Sequence, residues 1–235
     1  MNGNTARKQD IKTALVDTIP VMTGYLFLGF GFGLLLQSNG YNAWWALLMS
    51  LTVYAGSMQY VAVGLLAGGA GLLYTAITTL TVNARHLFYG ISLVEKYKNT
   101  GKAKPYLIFS LTDETYSLVC GENAGARAAD KNRYFFLVSL FDQLYWITGS
   151  VLGALLGEVI PINTQGIDFA LTALFITIFV EQWLSSKAHH PALIGVGISV
   201  VCLLVFGENF LIPALLLITA LLLLLRKRGK EAACD

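Results

Sequence analysis

Apolar residues in this chain come in long runs separated by short polar turns. The long runs fall at roughly 18–37, 43–67, 70–94, 134–157, 166–184, 191–207 and 209–225. A further segment, 105–121, is short and carries Asp113 and Glu114 near its middle. A spanning helix needs about 20 apolar residues, whereas a barrel strand needs about 10 and alternates with period two. No such alternation is present. In lipid each backbone amide has to be satisfied within its own segment, so the runs predict helices. No Asp, Glu, Lys or Arg occurs between Asp17 and Arg85, a stretch long enough for two spans and part of a third. The pattern predicts an all-α polytopic membrane protein with about seven transmembrane segments, some of them broken or re-entrant.

The expected layout is a charged cytoplasmic amino tail (1–17), a single transmembrane domain (18–225) and a basic cytoplasmic tail (226–235). No cleavage-like site follows the first segment, which therefore reads as a retained span. Residues 18–94 and 134–207 each run as a Gly-rich span, a polar turn, an aromatic-rich span and a third span. Gln59 and Gln182 fall near matching places, which suggests an internal duplication.

Lys and Arg in short loops orient such a chain. In the second half, basic loops (Arg127, Lys131, Arg133; Lys187; the tail Arg226, Lys227, Arg228, Lys230) alternate with loops carrying only Glu158 and Asp168, or Glu208. The first half resists the rule. The amino tail (Arg7, Lys8, Lys12) and loop 95–106 (Lys96, Lys98, Lys102, Lys104) both read as cytoplasmic, yet three full spans lie between them. Irregular membrane segments among 43–67, 70–94 and 105–121 would remove the conflict, and interrupted segments are where transporters place substrate sites.

Composition narrows the field. Charged residues are 13% of the chain, hydrophobic residues 55%, and mean hydropathy is +0.62, against about 25% charged in a soluble domain. A net charge of +2 does not suggest nucleic acid. Cys120, Cys202 and Cys234 give neither a disulfide framework nor a metal-ligand spacing. No nucleophile elbow, P-loop, dinucleotide fingerprint or zinc-protease helix is present, so no enzyme activity, cofactor or metal is expected, and uphill transport would draw on an ion gradient.

Glycines at four-residue steps (Gly29 and Gly33; Gly64 and Gly68; Gly149, Gly153 and Gly157) let another backbone come close, within the chain or in a partner. Trp44 and Trp45 follow a polar turn and read as interfacial anchors.

Polar groups inside the apolar runs are the candidate chemistry. Asn83, Arg85 and His86 lie in the third run, with Arg85 ten positions before the charged loop, about 15 Å into a bilayer core. An arginine there costs on the order of 3 kcal/mol and implies a pathway, a partner or snorkelling to the interface. Asp113 and Glu114 are adjacent carboxylates between apolar flanks. One of them would pair with Arg85, bind an ammonium or carry a proton; a hydrated helix beside the lysine loop is the competing reading. Tyr54, Gly56, Ser57 and Gln59 surround an Ala-Gly-Ser break whose freed N–H groups would hold a carboxylate at a half-helix start, or else form a small-residue packing face. Asp142, Gln143 and Glu181 are secondary candidates, and the two acids, near the predicted cytoplasmic ends, are expected to be hydrated. His189 and His190, beside Pro191, are a weak metal signal that no nearby Cys or Asp completes.

The stretches Tyr54-Ala55-Gly56-Ser57-Met58-Gln59, Asn83-Ala84-Arg85-His86-Leu87-Phe88-Tyr89-Gly90 and Leu111-Thr112-Asp113-Glu114, in that order, resemble the signature segments of the AzlC family, the large subunits of bacterial branched-chain amino acid exporters. Glu181-Gln182-Trp183 is also similar to family members. The resemblance runs over nearly the whole chain. It implies export of valine, leucine, isoleucine and methionine across the bacterial plasma membrane, and a small separate AzlD-type membrane subunit. A zwitterionic cargo needs donors for its carboxylate, which Arg85, Asn83 and the Gly56–Ser57 backbone would supply. It needs an acceptor for its ammonium, from Asp113 or Glu114, and an apolar pocket, from Tyr54, Met58 and Phe88. His86, Asp113 and Glu114 are the candidates for proton or ion coupling. The rival readings are a membrane enzyme using Asp113, Glu114 and His86, a scaffold subunit that transports nothing, and a transporter of another small solute.

Overall fold

The computed structural model describes residues 3–159 and 189–207 continuously, with isolated positions between 169 and 184 and between 214 and 221. Among the described residues all regular structure is helical. The chain divides into two compact units, Met1–Leu171 and Thr172–Asp235.

The first unit is built on two long helices, α1 (Gly3–Ser38) and α7 (Lys131–Val159). They are the described helices long and apolar enough to cross a membrane. Helix α1 begins inside the charged amino stretch and ends at a glycine cap. Gly40 adopts φ +85°, and the amides of Gly40 and Tyr41 donate to the carbonyls of Gln37 and Leu36, which satisfies two otherwise unpaired carbonyls.

The two helices run parallel in close backbone contact. A Cβ placed on Gly149 would lie 2.8 Å from the Leu26 carbonyl, and one on Gly29 would lie 3.0 Å from the Ser150 nitrogen. At Gly33 and Gly153 it would overlap the carbonyls of Ser150 and Phe30. Gly157 faces Leu34 and Gln37. These glycine steps are therefore filled within the chain, while a Cβ on Gly64 would meet nothing within 4 Å. The starts of α1 and α7 are tied by charge. Buried Asp10 accepts from the amides of Ala129 (2.6 Å) and Asp130 (3.2 Å) and pairs with Arg133 at 3.1 Å. Asp17 pairs with Arg127 and accepts from the Tyr134 hydroxyl at 2.9 Å.

Segment 43–67 is not one long helix. It is two half-length helices, α2 (Ala43–Thr52) and α3 (Gly56–Ala67), about 15 and 18 Å long against a core of about 30 Å. Helix α2 starts beside the end of α7, where the Ala43 amide donates to Glu158. The chain turns at Val53–Ala55, with Tyr54 in the left-handed region at φ 41°. Helix α3 then climbs back along α1, its Tyr60 hydroxyl donating to the Leu28 carbonyl at 2.7 Å and its ring packing on Phe32.

Helix α4 (Leu72–Ser92) is one continuous helix. It descends from the end of α3 to the loop near 95–103, which shares its end of the first unit with the start of α7. There Lys96 donates to the carbonyls of Val119, Cys120 and Gly121, and Asn132 donates to the Asn99 carbonyl. Segment 105–121 is a second hairpin, entering from this opposite end. Pro105 stands in the first turn of α5 (Lys104–Phe109), and Thr112 caps α6 (Asp113–Cys120), accepting from the Thr115 amide. The two hairpin turns meet midway along α7, where the rings of Tyr54 and Phe109 lie 6.3 Å apart.

The expected irregular segments are thus the hairpins of 43–67 and 105–121, while among the described residues two helices are long and apolar enough to span. Two hairpins stand in place of crossings, which places every basic loop of the first half at one end of the unit. In the second unit, α8 (His190–Phe206) covers most of the expected 191–207 segment, and the His189 ring stacks on Trp183. The segments 166–184 and 209–225, and with them the expected duplication, fall largely outside the described residues.

Candidate functional site

Where the hairpin turns meet, the three polar clusters of the sequence come together around Arg85 of α4. One terminal nitrogen of its guanidinium pairs with Asp113, the first residue of α6. The other donates to the Ser57 hydroxyl, in the first turn of α3, at 2.7 Å. Arg85 and Asp113 keep 27% and 20% side-chain exposure, so the pair is half-sheltered and still reachable. The Arg85 Nε and the Asn83 side-chain oxygen are buried with no hydrogen-bond partner. They are groups for which a ligand is the natural complement.

Two half-helix starts converge here. Helix α3 begins without a side-chain cap, and α6 begins with Asp113 and Glu114. A helix start presents unpaired N–H groups and a partial positive charge, the ordinary setting for a carboxylate. Gly56 is required for close approach, because a Cβ there would meet the Trp146 ring at 2.9 Å. Tyr54 and Met58, both buried, give the turn an apolar lining.

Glu114 points from α6 to α1, where Tyr25 donates to it at 2.8 Å. The Tyr25 hydroxyl also lies 2.6 Å from the Thr112 hydroxyl. Thr112 donates to Thr115 at 3.0 Å, and Thr115 donates to Asp142 at 2.7 Å. Tyr25 and Thr115 carried no signal in the sequence, since single hydroxyls in apolar helices are common. Thr112 directly ahead of two acids is at least the mark of a helix start.

Other candidates have different surroundings. His86 has its Nδ1 3.1 Å from the Asn83 carbonyl of its own helix, with Tyr89 edge-on to the ring. Gln59 is buried with both ends of its amide occupied, donating to Ser50 and accepting from the Trp146 indole at 2.9 Å. Asp142 is not hydrated as expected. Asp142 is 0% exposed and Gln143 7%, and Gln143 accepts from Tyr106 at 2.7 Å. The expectation measured the depth of Asp142 from a predicted helix end and left out the second hairpin, which packs over both residues. Glu181, Gln182 and the Phe88 side chain lie outside the described residues. Among the described residues no group of His, Cys, Asp and Glu is arranged to hold a metal. A cavity of about 270 Å³ near the 123–127 loop is lined by Asp17, Arg127 and Tyr134 and by none of the candidate residues.

Residues 20–160 match the family profile described as AzlC protein. The chain is 46% identical over 222 residues to the branched-chain amino acid transport protein AzlC of Bacillus subtilis strain 168, covering 94% of this chain and 87% of that protein. The chain belongs to the AzlC family. The matched range contains every residue of the Arg85 site. An uncharacterized membrane protein of Helicobacter pylori strain J99 is 42% identical over 218 residues, covering 92% of this chain and 95% of its own. The inner membrane protein YgaZ of Escherichia coli strain K12 is 27% identical over 173 residues, 71% of each chain. No solved structure matches this AzlC-family chain.

Proposed function

We propose that this chain is the large subunit of a secondary transporter that exports valine, leucine, isoleucine and methionine across the bacterial plasma membrane. It draws on an ion gradient and works with a small AzlD-type subunit, with both tails in the cytoplasm. The observation that carries the reading is the Arg85 junction: one arginine held between Ser57 and Asp113, at two half-helix starts, midway along the long helices.

An amino acid presents a carboxylate, an ammonium and an apolar side chain. Arg85, Asn83 and the first amides of α3 at Gly56–Ser57 take the carboxylate. Asp113 or Glu114 takes the ammonium, and Tyr54 and Met58 face the side chain. Substrate binding replaces the Arg85–Asp113 contact with two contacts to cargo of matching charge, so neither ion is left unpaired. The AzlC-family relative from Bacillus subtilis carries branched-chain transport in its name, which supports the same assignment. The scaffold reading relied on glycine steps open to a partner, and those of α1 and α7 are filled within the chain.

The test is efflux of labelled valine from cells expressing the chain with its small partner, competed by a panel of amino acids. Arg85→Ala and Asp113→Asn should abolish efflux at normal membrane levels. Unchanged rates in both would remove these residues from the pathway.

A further inference from the structure

The hydroxyl chain between Glu114 and Asp142 has one proton too few. Four contacts link the two carboxylates: Glu114 to Tyr25 (2.8 Å), Tyr25 to Thr112 (2.6 Å), Thr112 to Thr115 (3.0 Å) and Thr115 to Asp142 (2.7 Å). Each contact needs one hydrogen. The three hydroxyls supply three, and a hydroxyl carries a single donor hydrogen. With Tyr25 donating to Glu114, Thr112 to Thr115 and Thr115 to Asp142, the 2.6 Å contact between Tyr25 and Thr112 has no hydrogen in it. Two oxygens that close, both buried, repel unless a proton joins them.

One added proton on either carboxyl repairs the chain. With Glu114 protonated, every hydroxyl donates toward Asp142. With Asp142 protonated, every hydroxyl donates toward Glu114. The backbone amide of Thr115 donates to the Thr112 oxygen in both arrangements and need not move.

Charge points the same way. Asp142 is 0% exposed, and its second oxygen is buried without a partner. The groups facing the pair from neighbouring elements are Arg85 and Tyr89 of α4, Asp113 of α6, Tyr54 of the α2–α3 turn, Tyr106 of α5 and Tyr134 of α7 itself. The one cation among them, Arg85, is already matched by Asp113. Two ionised carboxylates would therefore stand in a buried site with no cation of their own, which like-charge repulsion and desolvation both oppose.

We propose that Glu114 and Asp142 share a single proton through Tyr25, Thr112 and Thr115, with Glu114 as its port beside the Arg85 site and Asp142 as its sealed store. In the transfer the Glu114 O–H bond breaks as Tyr25 gains a proton. Tyr25 gives its own to Thr112, Thr112 to Thr115 and Thr115 to Asp142. One proton moves in net, and no electrons are exchanged. This rests on the transport reading only for its use: a proton held there couples cargo movement to a proton gradient.

Infrared spectroscopy of the purified full-length protein at pH 7 tests the sharing without any transport. The wild type should show a protonated-carboxyl stretch of one carboxyl's intensity. Glu114→Gln and Asp142→Asn should each remove all of it, because either amide N–H supplies the missing hydrogen and leaves the other carboxylate ionised. Absence of the band in wild type, twice the intensity, or a band surviving in either variant overturns the proposal. In proteoliposomes holding the chain and its small partner, Thr115→Val should keep valine–valine exchange and lose at least tenfold of the proton flux accompanying valine, read with an entrapped pH dye. A wild-type proton-to-valine ratio in Thr115→Val overturns the coupling role. Absence of valine movement in wild type counts against the transport reading alone, and the infrared result still decides the shared proton.

Discussion

The rings of Tyr54 and Phe109 touch across the middle of the first unit, although each sits at the turn of a different helical hairpin. Tyr54 holds that turn at φ 41°, a conformation that costs a residue with a Cβ about 1–2 kcal/mol. Tyr54→Gly should therefore be less damaging than Tyr54→Ala by about 1 kcal/mol, since both lose the ring and only alanine keeps the backbone penalty. Thermal unfolding of the two purified variants checks the order, and alanine at or above glycine would refute it.

Arg85 holds Asp113 and Ser57 with separate nitrogens of one planar fork. A lysine has a point charge in place of the fork. Arg85→Lys should keep the ion pair, lose the Ser57 contact and lower valine efflux about tenfold, the effect of one contact worth about 1.5 kcal/mol. Efflux at the wild-type rate would show that the fork is dispensable.

Gly153→Ala would press a methyl group into the Phe30 backbone. Overpacking of this kind costs about 1–3 kcal/mol, and backbone has little room to yield. Gly64→Ala, with nothing within 4 Å, should instead stabilise α3 by up to about 1 kcal/mol. Melting curves of the pair should move in opposite directions.

The Trp146 indole and Gln59 are joined within the core at 2.9 Å. Trp146→Phe should cost about 1–3 kcal/mol beyond its lost contacts by stranding the buried Gln59 oxygen. Adding Gln59→Leu should recover part of that loss. A double variant no more stable than the single one would mean that the hydrogen bond is unimportant.

Lys12, Lys98 and Lys131 all lie at the end of the unit where α1 and α7 begin, and Glu158 lies at the other. In a cysteine-free background, cysteines at the three lysine positions should react with an impermeant thiol reagent from one side of the membrane. A cysteine at Glu158 should react from the opposite side. Labelling of the lysine positions from different sides would exclude the hairpin topology.

Much of this was readable in the residues because it follows from rules of short range. The glycine steps of α1 and α7 mark faces for close packing, though not the partner, and the polar run at Tyr54–Ser57 marks a break. The two basic stretches on either side of an odd number of apolar runs require an irregular segment. Which runs double back was not readable, since a half-length pair and a full span have the same hydropathy. Depth suffered for the same reason. Asp142 lies 11 residues into α7, about 16 Å, and only the α5–α6 hairpin reveals that protein rather than water covers it. The link from Glu114 to Asp142 joins residues of α1, α6 and α7, and no local pattern encodes it.

The glycine seam between α1 and α7 decides which parts are free to rearrange. Two backbones in direct contact along several turns leave no slack for sliding or tilting, so these helices act as a fixed post. The half-length helices α2 and α3 meet that post along their length, Ala43 at Glu158, Gln59 at Trp146 and Tyr60 at Leu28 and Phe32. A route past Arg85 would then have to open by movement of the hairpins rather than of α1 against α7.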